Sequence, residues 1–289
     1  MFYLVKKWQR KLYNNERVRA FYRTSLGRFL YHLPEEAGNM LSGNRHPMVP
    51  PMWKAYIGRG DFLAVGKEFL VHFVDLGNLR PQDIVLDLGC GMGRMAVALT
   101  GYLNASQGGR YEGIDVVREG IEWGRTRISS RFPNFHFQLA DVYSDLYNPK
   151  GGHTPEEYNL PFDGATFDFV CLNSVFTHMP PGAVRNYLKE VSRVLKPSGT
   201  CFITWYLLNP ESKGLIAEER SILAFRPRSG EAWSLNGKNW GDVAYEEGWV
   251  RQAYTDCGLA PQNPHFGSWC GRTEFLSGQD IVIARKAFP

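Results

Sequence analysis

Ile84-Val85-Leu86-Asp87-Leu88-Gly89-Cys90-Gly91-Met92-Gly93-Arg94-Met95-Ala96-Val97-Ala98-Leu99 is the stretch that decides the fold. Ile84 to Leu86 read as a buried parallel strand, which needs no polar alternation because both faces are covered. Asp87 closes the strand, glycines follow at 89, 91 and 93, and Arg94 to Leu99 opens a helical pattern. The unit is strand, glycine turn, helix. Such a turn lets a ligand approach the backbone where helix N–H groups point outward. The dinucleotide fingerprint G-x-G-x-x-G wants Gly or Ala where Arg94 stands, so that match fails. A Walker phosphate loop needs Gly-Lys-Ser/Thr, which is not there. A carboxylate at the strand end repels a pyrophosphate and attracts a cation.

Working outward, Tyr111 to Val117 reads as a second strand carrying Asp115 at its end. A carboxylate there is placed to accept both hydroxyls of a ribose, and equally to cap the helix expected over Arg118–Ile128. Phe135–Leu139 alternates as a third strand and leads to Asp141 and Val142. Residues 144–161 read as a surface loop. Phe167–Leu172 is a fourth strand, followed by Asn173-Ser174-Val175-Phe176-Thr177-His178. A helix is expected from Ala183 to Leu195, a turn over Leu195–Gly199, and a fifth strand from Thr200 to Tyr206. Residues 207–240 interrupt the core with prolines, glycines and tryptophans. Tyr245–Cys257 reads as a helix, and Gln262–Trp269 with Asp280–Arg285 as a closing antiparallel pair. Upstream, Asp61 is a candidate N-cap for a helix running from Phe62 to Leu76.

D-x-G-x-G-x-G, then F-D-x-V, S-V-F-T-H-M and R-V-L-K-P-S-G in that order, resembles the class I S-adenosylmethionine (SAM)-dependent methyltransferases of the bacterial small-molecule type. The resemblance implies an α/β fold: a seven-stranded, mostly parallel sheet with helices on both faces, the last strand antiparallel, here with an N-terminal helical extension. It implies SAM as cofactor and S-adenosylhomocysteine as product. Cofactor contacts then fall on Asp87, Gly89, Cys90, Gly91 and Gly93 of the turn, on Asp115 and Val116 for the ribose, and on Asp141 and Val142 for the adenine. Asn173 and Ser174 face the same edge. The Y-x-G-x-G-D entry adds Tyr56 and Gly58, in the loop that lies over the methionine part of the cofactor in this family. His178 is the candidate general base, since imidazole titrates near working pH; capping the next helix or orienting its loop is the competing role. The D/N-P-P-Y/W signature of nucleic-acid amino-group methylases does not stand after the fourth strand, where Asn173-Ser174-Val175-Phe176 is found.

These readings predict an extension over residues 1–60 and a methyltransferase domain over 61–289, with 207–245 contributing to the acceptor site. The expected function is methyl transfer to O or N of a small-molecule or glycan/lipid-linked acceptor. An RNA methyltransferase and a non-catalytic adaptor are the alternatives. Residues 1–30 carry eight Lys/Arg and one Glu, and the chain as a whole is +4, so the remainder is −3 and no general polyanion binder. The basic start, with Leu4, Val5, Trp8 and Leu12 at helical spacing, reads either as a docked helix or as a peripheral contact with an anionic membrane. Five cysteines without a C-x-x-C pair predict reduced thiols and a cytoplasmic location. Scattered histidines predict no metal site.

Overall fold

A computed structural model describes residues 46–51, 54, 61–235 and 240–287. The chain divides into two compact units, residues 1–64 and 65–289. The expected basic helix, and Tyr56 and Gly58, lie outside the described residues. Asp61 does what its position predicts: its Oδ1 accepts from Ala64 N at 2.7 Å at the start of α1 (Phe62–Asp75).

In chain order there follow β1 (Ile84–Leu88), α2 (Arg94–Leu99), β2 (Arg110–Asp115), α3 (Arg118–Gly124), β3 (Phe135–Leu139), β4 (Phe167–Leu172), α4 (Pro181–Val194) and β5 (Leu195–Trp205). Next come β6 (Leu207–Leu208), α5 (Pro210–Ala217), β7 (Arg226–Ser229), β8 (Ala232–Ser234), β9 (Val243–Glu246), α6 (Glu247–Asp256), β10 (Leu259–Pro261) and β11 (Asp280–Lys286). The main sheet has the order β10-β11-β5-β4-β1-β2-β3. β3, β2, β1, β4 and β5 are parallel, β11 runs against β5, and β10 against β11. From β1 the chain moves outward first to one side and then, at β4, to the other. A crevice therefore opens at the carboxyl ends of β1 and β4.

Strand residues alternate between two helical layers. Phe169 and Phe202 meet Phe73 of α1 at ring distances of 5.2 and 4.9 Å. Val170, Leu172 and Ile203 join Val184, Leu188 and Val191 of α4 in one buried cluster. Burying a side chain of this size stabilises the fold by about 1.5–3 kcal/mol each.

Three expectations change. The segment expected only to interrupt the core contributes a second, four-stranded sheet in the order β6-β9-β8-β7, and Tyr245 is a strand residue rather than the start of a helix. Strands of two to four residues are too short to show period-two alternation. Asp280 of β11 joins the two sheets: its fully buried carboxylate accepts from Leu207 N (2.7 Å), Gly267 N (2.7 Å), Trp269 Nε1 (2.6 Å) and Arg272 Nη1 (3.1 Å). The strand expected over Gln262–Trp269 lies earlier, at β10; Gln262 N still donates to Ile283 O of β11 at 2.8 Å, Pro264 has no N–H for the ladder, and a bridge to β11 forms again at His265, opposite Ile281.

Finally, residues 144–161 are tied down rather than a free loop. Val142 pairs with His153, and Ser144 with Asn148. Asn186, Glu190 and Arg193, at i, i+4 and i+7 on α4, hold the segment by its backbone. Asn186 Nδ2 donates to the carbonyls of Pro155 (3.0 Å) and Tyr158 (2.9 Å). Glu190 Oε2 accepts from Leu160 N at 2.7 Å, and Arg193 donates to the carbonyls of Leu160 and Phe162. Among the described residues, no helix is long and apolar enough to cross a membrane.

Candidate functional site

The glycine turn sits at the crevice. Gly89, Gly91 and Gly93 have φ of 77°, 56° and 80°, the left-handed region in which a Cβ collides with the backbone, and this is why glycine recurs at spacing two. A Cβ on Gly89 would stand 2.4 Å from Val175 Cγ2, and one on Gly93 2.6 Å from Ile128 Cδ1. The turn is fastened to β2: Gly89 N and Cys90 N both donate to Ile114 O, at 2.8 and 3.2 Å.

Asp115 completes the clamp. One carboxylate oxygen accepts from Gly91 N at 2.7 Å and the other from Val117 N at 2.8 Å. A carboxylate has about four acceptor positions, so these bonds leave capacity for a ligand's hydroxyl. Burial raises its pKa above the ordinary carboxylate value, against the lowering effect of those N–H groups.

Asp87 lies beneath the turn rather than in the crevice. It is 1% exposed, accepts from Tyr111 Oη at 2.7 Å, and burial pushes its pKa up to about 7. The Cys90 side chain is buried too, its sulfur 3.0 Å from where a Cβ on Gly113 would be; only its backbone faces the turn. Val116 packs half-buried on the core and Val142 is fully buried. Asp141 is exposed, and its Oδ1 accepts from Gly152 N at 3.1 Å.

Across the crevice, the segment after β4 is held in an unusual conformation. Ser174 has φ +61°. Its N–H donates to Thr204 Oγ1 at 2.7 Å, and its hydroxyl accepts from Gln279 Nε2 at 2.9 Å. Non-glycine residues in this region cost about 1–3 kcal/mol each and cluster at ligand sites. Asn173 carries the sharper signal: both polar atoms of its side-chain amide are shielded from water and have no hydrogen-bond partner among the described residues. Buried polar groups are normally paired, so this amide has the character of one that a ligand satisfies.

His178 is half-buried, with its Nδ1 accepting from Asp242 N at 3.3 Å. Burial holds its pKa below the usual imidazole value, opposed by the nearby Asp242 charge. Tyr245, wholly buried, donates its hydroxyl to Met179 O and so fixes this segment to the second sheet. Tyr147, which the sequence reading left in the loop over 144–161, meets the His178 ring edge-on at 5.8 Å. Partial burial, and then the charges of Asp242 and Asp115, raise the Tyr147 pKa. Its only sequence signal was an aromatic residue in a stretch without periodicity.

The set has a consistent chemistry. A backbone turn with three left-handed glycines, an acid with spare acceptor positions and an orphaned amide suit a nucleoside joined to an amino acid. Residues 85–199 match the family model described as a methyltransferase domain. The chain is 31% identical over 130 residues to a demethylmenaquinone methyltransferase of Symbiobacterium thermophilum, covering 44% of each. It is 28% identical over 192 residues to a protein-L-isoaspartate O-methyltransferase of Cupriavidus necator, covering 63% of this chain and 66% of that one. The chain spans about half the length of several curated relatives that it matches. Its fold is shared with a solved protein of Pyrococcus horikoshii, at a TM-score of 0.54 and 17% identity over 81% of this chain and 94% of that one. Residues 85–199 are thus similar to a methyltransferase domain, and the chain shares the fold of that solved protein.

Proposed function

We propose that this protein transfers a methyl group from SAM to an oxygen or nitrogen of a small-molecule or glycan/lipid-linked acceptor. The observation that carries it is the left-handed glycine turn clamped by Asp115, with the unpartnered Asn173 amide across the same crevice. When bound there, the cofactor supplies a methyl already activated by a positive sulfur. What this chain must add is placement. Gly89, Gly91 and Gly93 offer backbone close enough for the methionine end, and Asp115, beside Val116, accepts from the ribose. Asp141 and Val142 border the adenine, and Asn173 and Ser174 hold the amino-acid end. Asp87 acts through the turn it supports.

Positioning of this kind is worth several powers of ten in rate without any nucleophilic side chain. The acceptor enters from the side walled by His178, Tyr147 and the second sheet. Relatives named for demethylmenaquinone and for protein isoaspartate differ in acceptor, so the acceptor does not follow from these likenesses. Titration calorimetry with SAM tests the reading. Micromolar binding is expected, weakened at least about tenfold in Asp115→Ala by loss of a charge-assisted pair of hydrogen bonds. Absence of heat at millimolar SAM would sink it. Labelled SAM offered to a metabolite pool then finds the acceptor.

A further inference from the structure

Asp242 precedes β9 and has φ +53°, a conformation that few residues other than Gly, Asn and Asp tolerate. Its backbone is fully used: the N–H donates to His178 Nδ1 and the carbonyl accepts from Leu235 N at 3.3 Å. Its carboxylate, by contrast, has no hydrogen-bond donor or ion-pair partner among the described residues. Asp242 is placed by geometry among the groups of the crevice: its amide lies 3.3 Å from His178 Nδ1, and the His178 ring meets the Tyr147 ring at 5.8 Å. In keeping with this, after the effect of burial its charge acts to raise the pKa values of Tyr147, His178 and Tyr206. Those three side chains come from the 144–161 segment, the loop after β4 and the residue that follows β5. A strained backbone thus delivers an unpaired negative charge to the acceptor side of the crevice.

We propose that Asp242 is the acceptor-side carboxylate of this site, the group that takes the proton an alcohol or amine gives up as it is methylated. The proposal rests on the methyl-transfer reading and deepens it. His178 has the complementary part. With its Nδ1 lone pair engaged by the Asp242 amide, the neutral ring carries its proton on Nε2 and is a hydrogen-bond donor that positions the acceptor. In the reaction, the acceptor oxygen or nitrogen bonds to the methyl carbon as the carbon–sulfur bond breaks. The sulfur leaves as a neutral thioether, and the acceptor's proton passes to the Asp242 carboxylate and from there to water. The substrate class that follows is a neutral or cationic hydroxyl or amine compound. A carboxylate acceptor has no proton to give and meets two acids, Asp115 and Asp242.

The test needs no known acceptor. Sinefungin is a cofactor analogue with an amine-bearing carbon in place of the methylated sulfur, so it puts a positive charge where the acceptor meets the methyl. S-adenosylhomocysteine has none. Both are titrated calorimetrically into the full chain and into Asp242→Asn. Asn tolerates the same φ and keeps the backbone amide, and the carboxylate it replaces has no partner, so unchanged thermal stability and an S-adenosylhomocysteine Kd within about twofold are expected. The preference for sinefungin over S-adenosylhomocysteine is expected to fall about tenfold, the scale of a nearby unit charge partly screened by water. Asp242→Gly, free to adopt the same φ, gives the same loss. Nitrogen-15 spectra of the bound protein are expected to show His178 protonated on Nε2 in wild type and in both variants. An unchanged sinefungin preference in both variants, or a His178 proton on Nδ1, overturns the proposal. Failure of the wild type to bind either compound instead overturns the methyl-transfer reading beneath it.

Discussion

Gly89→Ala separates two reasons for a glycine in one experiment. The substitution places a Cβ at φ +77° and 2.4 Å from Val175 Cγ2. The first effect is conformational and costs about 1–2 kcal/mol for an L residue in the left-handed region. The second is steric: the loop after β4 must yield by about an ångström, and overpacking of that order costs about 1–3 kcal/mol. Together the loss is about 2–5 kcal/mol. Val175→Ala removes the methyl that Cγ2 represents and leaves the backbone alone, so it relieves only the second effect. In a double-mutant cycle the two substitutions should couple by about 1–3 kcal/mol, with Gly89→Ala costing only its conformational share in the Val175→Ala background. Urea unfolding of the four proteins measures this, and SAM titration should follow the same order because the proposed site places the turn in the cofactor wall. Equal costs of Gly89→Ala in both backgrounds would refute the idea that the two loops interlock there.

Two further outcomes follow from buried carboxylates. The Asp87 pKa in the folded chain, about 7, lies above its ordinary value of 3.8, so the folded state retains a proton that the unfolded state has lost. That contribution is fully present below about pH 4 and disappears as pH rises through about 7. Relative to Asp87→Asn, wild type is expected to lose about 4 kcal/mol of stability between pH 4 and pH 8, from about three pK units. Parallel urea midpoints over that range would count against a buried, neutral acid. Glu190→Ala strands Leu160 N–H and removes the carboxylate that pairs with Arg193 at 2.7 Å, for a loss of about 2–4 kcal/mol. Hydrogen exchange should quicken first in residues 144–161, and unchanged protection there would mean that α4 does not anchor that segment.

The parallel half of the sheet was legible because β1 and β4 are buried on both faces and read as largely apolar runs, while the edge strand β3 shows period-two alternation. The crevice was legible because a left-handed turn leaves glycines in the sequence at fixed spacing. What escaped notice depends on long-range pairing. Asn186, Glu190 and Arg193 look like the solvated face of a helix until the backbone of 144–161 is laid against them. The second sheet rests on strands of two to four residues that carry no period. Asp87 looked like a ligand for a cation because its place in the strand was visible but the Tyr111 hydroxyl, 24 positions away, was not. Asp242 left no trace, since its distinction is a backbone angle and a missing partner.

The bond from Tyr245 to Met179 O limits how this protein can be re-engineered. Tyr245 belongs to the second sheet, whereas Met179 belongs to the loop that carries Ser174 and His178. A chimera that imports residues 207–246 from a homologue to change acceptor choice therefore also imports a new neighbour for that loop. The natural unit of exchange is discontinuous: residues 173–180 together with 207–246, cut where β4 ends and where α6 begins.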